Sequence, residues 1–261
     1  MTKQLVQFDL LPGNIGLITL SRPEAANAMS VQLLNDLSAT LDKINADPVV
    51  RVVLLTGAGE KAFCAGADLK ERNGMSDRQV KQIVQRIGTT IAKVEALAQP
   101  VIAVLNGVAF GGGLELALAC DLRVAATHTK VGLTETSLGI IPGAGGTQRL
   151  PRLIGIGKAK ELIYTARRID AVEAQRFGIV EYVYEGHEVQ ERALQLALEM
   201  AKNAPLSLIQ AKNAINNGME VDLATGLKIE SLAYSALIPT EDRLEGLQAF
   251  QEKRAPQYLG K

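Results

Sequence analysis

The amino-acid sequence predicts an α/β fold, because short apolar runs alternate with helical patterns through the first half of its 261 residues. The opening order is strand, strand, helix, strand. Two apolar runs flank the turn at Pro12-Gly13, residues 30–46 carry a helical pattern, and residues 51–57 form a further apolar run. With 47% hydrophobic residues, a chain of this length can bury a sizeable core.

The charge balance gives no reason to expect a polyanionic partner. The chain has 28 basic and 28 acidic residues, so no global field would draw it to nucleic acid or to an anionic membrane. Its apolar runs are interrupted before they reach the roughly 18 residues of a membrane span. The two cysteines form no CxxC pair and the N-terminus lacks a signal-peptide pattern, so the cytoplasm is the expected compartment.

Two amphipathic helices are predicted in the first half. In residues 30–46 apolar residues recur at intervals of three and four, and Ser30 is placed to cap the first turn. A second helical pattern, residues 77–97, ends just ahead of Pro100. A strand, a run of glycines and a further helix follow.

Beyond Pro142 the pattern becomes mainly helical. One strand, residues 178–185, stands among helical segments, and residues 205–253 hold three short amphipathic patterns. Such helices cover a core or pack against another subunit. The expected organisation is therefore a catalytic core over residues 1–200 and a helical oligomerisation extension over residues 201–261.

Several reaction classes lack the residues that they need. His128 and His187 are the only histidines and neither lies in metal-ligand spacing, so no metal site is expected. A serine or cysteine nucleophile would need one of them as its base, no GxSxG motif is present, and Cys64 is expected to be a small buried residue. The glycine clusters also break the spacing of nucleotide-binding loops.

Two glycine-rich loops predict an oxyanion hole. In AFGGGLELALACD (109–121) a helix is expected to begin at the glycines, so the N–H groups near Gly111 and Gly112 lack intrahelical partners. The other loop is CAGADLK (64–70). In it, Asp68 is placed to cap the next helix, which leaves the Ala67 N–H free. Two N–H groups that converge on one oxygen would stabilise the anion formed in acyl and enolate chemistry.

Two carboxylates lie in apolar surroundings near these loops. Glu115 is about one turn into the glycine-started helix, and Glu135 stands between two threonines ahead of another apolar run. Such a pair can activate water and donate a proton, as the addition of water to a conjugated double bond requires. The structural alternative is that Glu115 pairs with Arg123 or Arg149 and that Glu135 caps a helix. Spacing alone leaves both interpretations open.

With these residues assembled, the chain resembles the enoyl-CoA hydratase (crotonase) family along its whole length. A lone glycine triplet would be weak evidence, but an ordered set of motifs is specific. The resemblance rests on the segments RPEAANAM (22–29), AFCAGADLKE (62–71), NGVAFGGGLELALACD (106–121), TETSLGIIPGAGGTQRLPR (134–152) and PTEDRLEGLQAFQEKRAP (239–256).

The resemblance implies a role for each candidate residue. Glu115 would help to activate water and Glu135 would exchange the proton at the α-carbon, while the N–H groups of Ala67 and Gly112 hold the thioester oxygen. The substrate would be an acyl-CoA thioester, with coenzyme A as part of the substrate and no separate cofactor. Further contacts, including the adenine-binding segment 65–70, are expected at Ala25, Ala65, Asp68, Leu69, Lys70, Gly111 and Gly143.

The resemblance also implies an architecture. Members of the family look like a spiral of β-β-α turns whose C-terminal helices build homotrimers, commonly paired into hexamers. Residues 72–95 would help to shape the acyl tunnel.

Within the family the chain is especially similar to the methylglutaconyl-CoA hydratase branch, which includes proteins that bind AU-rich RNA. RNA binding there is attributed to a row of lysines on the first helix. Here that helix offers only Lys43 against Asp36, Asp42 and Asp47, so little or no RNA binding is expected.

Three functions therefore remain open. The first is a 2-enoyl-CoA hydratase, a hydro-lyase, which the presence of both glutamates favours. The second is another reaction on the same fold, either isomerisation or hydration of a branched acyl group. The third is an RNA-binding or scaffolding protein.

Overall fold

In a computed structural model of the chain, residues 4–261 are described and form ten β-strands and eleven α-helices. The strands are β1 (Val6–Leu11), β2 (Ile15–Leu20), β3 (Val52–Gly57), β4 (Ala62–Cys64), β5 (Val101–Leu105), β6 (Val108–Phe110), β7 (Leu122–Ala126), β8 (Lys130–Gly132), β9 (Ile169–Asp170) and β10 (Tyr182–Tyr184). The helices are α1 (Val31–Asn45), α2 (Leu69–Arg72), α3 (Asp77–Glu95), α4 (Gly112–Leu118), α5 (Gly146–Ile154), α6 (Ile156–Thr165), α7 (Ala171–Arg176), α8 (Val189–Ala201), α9 (Pro205–Gly218), α10 (Leu223–Leu237) and α11 (Glu241–Glu252).

The larger sheet has six strands in the order β1-β2-β3-β5-β7-β10. The first two strands form an antiparallel hairpin in which Val6 lies opposite Leu20 and Leu11 lies opposite Ile15. From β2 onward all neighbours are parallel. The predicted α/β class and the β-β-α-β opening are confirmed.

The first long helix forms where its apolar period and its cap predict it. The Ser30 side chain accepts a hydrogen bond from the Leu33 N–H at 3.2 Å, which satisfies one of the free donors at the helix start. The apolar face of α1, including Leu34, Leu37 and Leu41, is buried against the larger sheet.

Alternating side chains of the larger sheet enter two separate cores. Leu54 and Val104 pack on one face with Ala193 and Ala197 of α8, whose small side chains allow a close approach. Side chains of the opposite face pack beneath α1, α3 and α4. The larger sheet is thus covered on both sides, as parallel strands require.

The smaller sheet positions the loops that carry the candidate residues. Its order is β4-β6-β8-β9, with the first three strands parallel and β9 antiparallel to β8. Cys64 pairs with Ala109, and Phe110 pairs with Gly132. The carboxyl ends of β4, β6 and β8 therefore meet at one edge, and the segments that follow them lie side by side.

The last part of the chain is helical, as predicted. Helices α9, α10 and α11 follow α8 and are joined to the rest of the chain by polar contacts. The Lys212 ammonium lies 2.9 Å from an Asp121 carboxylate oxygen, and the Arg51 guanidinium donates to the Tyr258 carbonyl. The division into a catalytic core that ends at residue 200 and an oligomerisation extension that begins at residue 201 stays a prediction.

One strand of the C-terminal half is absent from the sequence prediction. Only one strand is expected beyond Pro142, yet β9 precedes β10. With two residues, β9 is too short to carry an alternating pattern, and only its pairing with Lys130 and Val131 makes it a strand. Among residues 4–261, no helix combines the length and the apolar character needed to cross a membrane.

Candidate active site

The predicted site residues follow the carboxyl ends of three neighbouring strands. The loop after β4 contains Ala67, the loop after β6 leads into Gly112 at the start of α4, and Glu135 follows β8 at the start of a short 3₁₀ helix. Because these strands are parallel neighbours, the residues that follow them meet at one edge of the smaller sheet.

The backbone around Ala67 leaves its N–H group free. The Met29 N–H donates to the Gly66 carbonyl at 2.8 Å, and the Asp68 N–H donates to the Met29 carbonyl at 3.3 Å. These bonds form a parallel β-bridge in which Ala67 is the residue opposite Met29. The Ala67 N–H and C=O groups point away from that pairing. They therefore face the loop that follows β6.

The second free N–H group belongs to the first residue of α4. Gly112 occupies the first helical position, where the backbone donor has no partner within the helix. A side chain on Gly112 would begin 3.7 Å from the Ala67 nitrogen, so the two N–H groups lie in adjacent loops. A side chain on Gly66 would lie 2.8 Å from the Phe110 carbonyl, which explains why the first loop has glycine there.

Glu115 is buried and held by backbone donors. It is the fourth residue of α4, and its side chain is only 3% exposed. The N–H groups of Ala144 and Gly146 both donate to its Oε1 atom at 2.8 Å. Burial raises the pKa of Glu115 above its usual value, while these hydrogen bonds and the Arg149 charge act in the opposite direction.

The structural alternative for Glu115 fails because both arginines are engaged elsewhere. Arg123 pairs with Glu181 at 2.5 Å. Arg149 forms two hydrogen bonds with the Glu95 carboxylate, at 2.6 and 3.0 Å. The buried carboxylate of Glu115 is therefore compensated by backbone N–H groups rather than by an ion pair.

Glu135 has the more strongly perturbed carboxyl group. Burial, assisted by the negative charge of Glu115, raises its pKa to about 7. Its Oε2 atom is buried and has no hydrogen-bond partner within residues 4–261. The 3₁₀ helix at Glu135–Leu138 begins with this residue, but Glu135 is not its cap, which is Thr134. The alternative capping role therefore fails as well.

Both glutamates line a cavity of about 760 Å³ together with Ala67 and Gly112. One wall comes from α3 and is apolar. The predicted role of residues 72–95 in shaping an acyl tunnel fits this wall, which includes Val80, Val84 and Ile87. The cavity is thus apolar on one side and carries carboxylates and free N–H groups on the other.

The remaining predicted contacts fall into two groups. Ala65, Leu69, Gly111 and Gly143 line the cavity. Ala25, Asp68 and Lys70 do not, although the Ala65 N–H donates to the Ala26 carbonyl and so holds the Ala25 turn beside the loop.

The Asp68 side chain has structural contacts of its own. It accepts hydrogen bonds from the N–H groups of Lys70 and Glu71, and it lies 2.6 Å from the Arg22 guanidinium. It caps α2 as predicted. The Asp68 carboxylate is therefore already engaged. Any contact between Asp68 and coenzyme A would involve the backbone of Asp68.

Sequence reasoning missed four residues of the site. Ala144 and Gly146 hold Glu115, and Arg72 and Arg168 lie on the cavity wall. The GAGGTQ segment (143–148) indicates a turn, but nothing in the sequence indicates that its N–H groups bind the Glu115 carboxylate. The two arginines resemble ordinary surface charges in the sequence.

The arrangement supports one kind of chemistry. Two free N–H groups on adjacent loops can hold an oxygen that becomes negative, which stabilises an enolate of a thioester. Two carboxylates with raised pKa values on the same cavity can move protons to and from a bound molecule.

Comparison with known proteins agrees with this geometry. The sequence model of the enoyl-CoA hydratase/isomerase family matches residues 11–261. The chain belongs to this family, the crotonase family, whose enzymes bind acyl-CoA substrates.

Individual relatives are similar over nearly the whole chain. YngF of Bacillus subtilis (strain 168), named for the same enoyl-CoA hydratase/isomerase family, is 56% identical over 255 residues, covering 98% of each chain. Mitochondrial methylglutaconyl-CoA hydratase of Homo sapiens is 49% identical over 253 residues, covering 95% of this chain and 75% of the human one. A crystal structure of an enoyl-CoA hydratase from Bacillus anthracis has a TM-score of 0.98 and 56% identity, covering 99% of this chain and 100% of that one. The predicted family and its fold are confirmed.

Proposed function

We propose that the protein is an enoyl-CoA hydratase, which adds water reversibly across the 2,3 double bond of 2-enoyl-CoA thioesters to give 3-hydroxyacyl-CoA. The observation that carries the proposal is that Glu115 and Glu135 line the same cavity as the backbone N–H groups of Ala67 and Gly112. A double-bond isomerisation needs one acid/base group, whereas hydration uses a second carboxylate to hold and activate water.

The proposed reaction begins at the thioester oxygen. The N–H groups of Ala67 and Gly112 hold this oxygen and stabilise the enolate that forms as water adds to the β-carbon. Glu115, fixed by two backbone donors, accepts one proton of the water as the water oxygen bonds to the β-carbon, and this proton later returns to Glu135 through solvent. Glu135 delivers a proton to the α-carbon, and its pKa of about 7 gives it a protonated fraction at neutral pH.

No separate cofactor has a role in this proposal, since coenzyme A arrives as part of the substrate. The test is the loss of absorbance of the conjugated thioester of crotonyl-CoA after addition of the purified protein, without metal or nucleotide. Formation of 3-hydroxybutyryl-CoA would support the hydratase. If the protein instead moved the double bond of a 3-enoyl-CoA and left crotonyl-CoA unhydrated, the reaction would be isomerisation and the proposal would be wrong.

A second candidate is hydration of the branched substrate 3-methylglutaconyl-CoA. The observation that favours it is the 49% identity to the human methylglutaconyl-CoA hydratase. The same assay with this thioester distinguishes the two candidates. Reaction with the branched substrate alone would support the narrower activity.

We also propose a homotrimeric assembly, alone or paired into a hexamer. Large apolar side chains are exposed on the C-terminal helices, as Met219 (79%), Leu223 (78%) and Phe250 (85%) illustrate. Apolar exposure of this extent on neighbouring helices is typical of a surface that another subunit covers. Light scattering coupled to gel filtration measures the mass, and a monomer of 27.9 kDa would contradict the proposal.

A further inference from the structure

The cavity carries two positive charges that the proposed hydration does not use. Arg72 and Arg168 line it, and among the cavity residues only these two and the two glutamates are charged. The charge that perturbs the pKa of Glu115 is that of Arg149, and the charge that perturbs the pKa of Glu135 is that of Glu115. Neither cavity arginine has a role in the proposed proton transfers.

Arg72 has no carboxylate partner in the free protein. Its Nε atom is buried without a hydrogen-bond partner, and within residues 4–261 the guanidinium forms no ion pair. The acidic residues on and beside its own helix are already engaged. Asp68 is bound to Arg22, and the Glu71 carboxylate accepts the Val31 N–H at 2.9 Å. A half-buried guanidinium without a partner is unfavourable, and a bound anion would remove that cost.

Arg168 differs from Arg72 in its surroundings. Its side chain is exposed, and its guanidinium lies 4.5 Å from the centre of the Phe110 ring. The aromatic face already stabilises this charge. Arg168 therefore serves as a comparison for Arg72. It lines the same cavity, but its charge is already stabilised by the Phe110 ring.

The position of Arg72 suits the far end of a short acyl chain. It is the last residue of α2, which starts directly after the loop that contains Ala67. Arg72 lies four residues beyond Asp68, or roughly 6 Å along a helix. Val80 and Val84 line the cavity with it and can contact the methylene groups of the chain.

We infer that Arg72 binds a carboxylate at the far end of the acyl group, so that the preferred substrates are 2-enoyl-CoA thioesters that end in a carboxylate. The inference rests on the proposed hydratase function. A guanidinium matches a carboxylate in shape and can donate two parallel hydrogen bonds to it. A neutral acyl chain would leave Arg72 desolvated and unpaired, which gives discrimination against that chain.

The test compares two linear substrates of similar length, glutaconyl-CoA with a terminal carboxylate and 2-hexenoyl-CoA without one. The native protein should have the higher kcat/KM for glutaconyl-CoA. Arg72→Met should lower that value by about 10- to 100-fold, the range for loss of a charge-assisted hydrogen bond, and should change the value for 2-hexenoyl-CoA by less than about threefold. Arg72→Lys should restore part of the preference, because it keeps the charge but loses the fork geometry.

Arg168→Met is the control, and it should leave the ratio of the two kcat/KM values unchanged. An equal loss for both substrates in Arg72→Met, or a change of the ratio only in Arg168→Met, would refute the assignment to Arg72. If the native protein hydrates 2-hexenoyl-CoA but does not prefer glutaconyl-CoA, the carboxylate preference is wrong and the hydratase stands. If it hydrates neither these thioesters nor crotonyl-CoA, the hydratase proposal itself fails.

A binding measurement separates recognition from turnover. Saturated glutaryl-CoA and hexanoyl-CoA have the same two kinds of chain end but no double bond to hydrate. Arg72→Met should weaken binding of glutaryl-CoA, measured by calorimetry, by about 10-fold or more while hexanoyl-CoA binding stays within about threefold. Equal weakening of both ligands would show a structural role for Arg72 and would overturn the inference even if the enzyme were inactive.

Discussion

Glu115 and Glu135 line one cavity but are held in opposite ways. Oε1 of Glu115 accepts two backbone hydrogen bonds at 2.8 Å, whereas Oε2 of Glu135 is buried without a partner in the described part of the chain. Hydrogen bonds from N–H groups favour an ionised carboxylate, and burial without them favours the protonated form. The pair is therefore arranged with one group as a fixed acceptor and the other as a proton carrier.

The two roles predict the same loss of hydration but different α-proton exchange for two isosteric variants. Glu115→Gln and Glu135→Gln should each lower hydration of crotonyl-CoA by at least about 100-fold, because each removes a positioned acid or base. Circular dichroism should show an intact fold for both. Exchange of the α-protons of butyryl-CoA with D₂O, followed by NMR, separates them: Glu135→Gln should abolish exchange and Glu115→Gln should retain it. Equal exchange in both variants would mean that the roles are assigned wrongly.

The pKa of Glu135 predicts how the rate depends on pH. Its raised value, about 7, means that the carboxyl group is protonated below this pH and ionised above it. Hydration requires the proton, so kcat/KM for hydration should fall as pH rises through about 7. Hydration takes up and releases no net proton, so its equilibrium constant does not depend on pH. For this reason kcat/KM for dehydration of 3-hydroxybutyryl-CoA should fall over the same pH range. A pH profile that is flat between pH 6 and 8 in both directions would contradict the proton-carrier role.

The sequence predicts those structural features that depend on residues near one another in the chain. The apolar period of α1, its Ser30 cap and the position of Glu115 one turn into α4 can all be read from neighbouring residues, and the structure agrees. The glycine run also predicts where the free N–H group of Gly112 lies, whereas the Gly111 N–H is not free, because it donates to the Gly132 carbonyl at 2.8 Å. These features depend on residues within one or two helical turns.

The contacts that set the chemistry join distant parts of the chain and could not be predicted in this way. Ala144 and Gly146 are 29 and 31 residues from Glu115, and Arg123 is 58 residues from its partner Glu181. No periodicity links such pairs. An arginine at the end of a four-residue helix likewise resembles a solvent-exposed charge, so Arg72 gives no signal in the sequence of its place in the cavity.

Arg149 is expected to position Glu115 without contacting substrate. Its guanidinium donates to the Ala144 carbonyl at 3.0 Å and is held by Glu95, so it fixes the loop whose N–H groups bind Glu115. Arg149→Met should lower kcat by about 10-fold with little change in KM. It should also move the pH profile, because the Arg149 charge lowers the pKa of Glu115.

Arg152→Met is the matched control for this prediction. Arg152 follows on the same helix but pairs with Glu220 at the surface, at 3.5 Å and with both side chains more than half exposed. Its loss should leave kcat and the pH profile unchanged. If the two variants behaved alike, the effect of Arg149 would reflect general destabilisation of α5 rather than the position of Glu115.

The first helix predicts weak affinity for RNA. Lys43 is the only basic residue of α1, and Lys93 of α3 is paired with Asp42, so this helix carries no cluster of free positive charge. Phosphate binding requires such a cluster. A gel shift with an AU-rich RNA at low salt should show no complex at micromolar protein. Tight binding there would contradict the prediction.

Gly112 allows the oxyanion hole to be tested by a pair of variants. Gly112→Ala adds a methyl group that meets Met29 Cε, the end of a flexible side chain, at 2.6 Å, so only a modest loss of activity is expected. Gly112→Pro adds carbon at the same place but removes the N–H group, and proline is tolerated at the first position of a helix. Its kcat should be about 100- to 1000-fold below that of Gly112→Ala, as expected for loss of one oxyanion donor. A folded proline variant with the activity of the alanine variant would show that the Gly112 N–H does not hold the thioester oxygen.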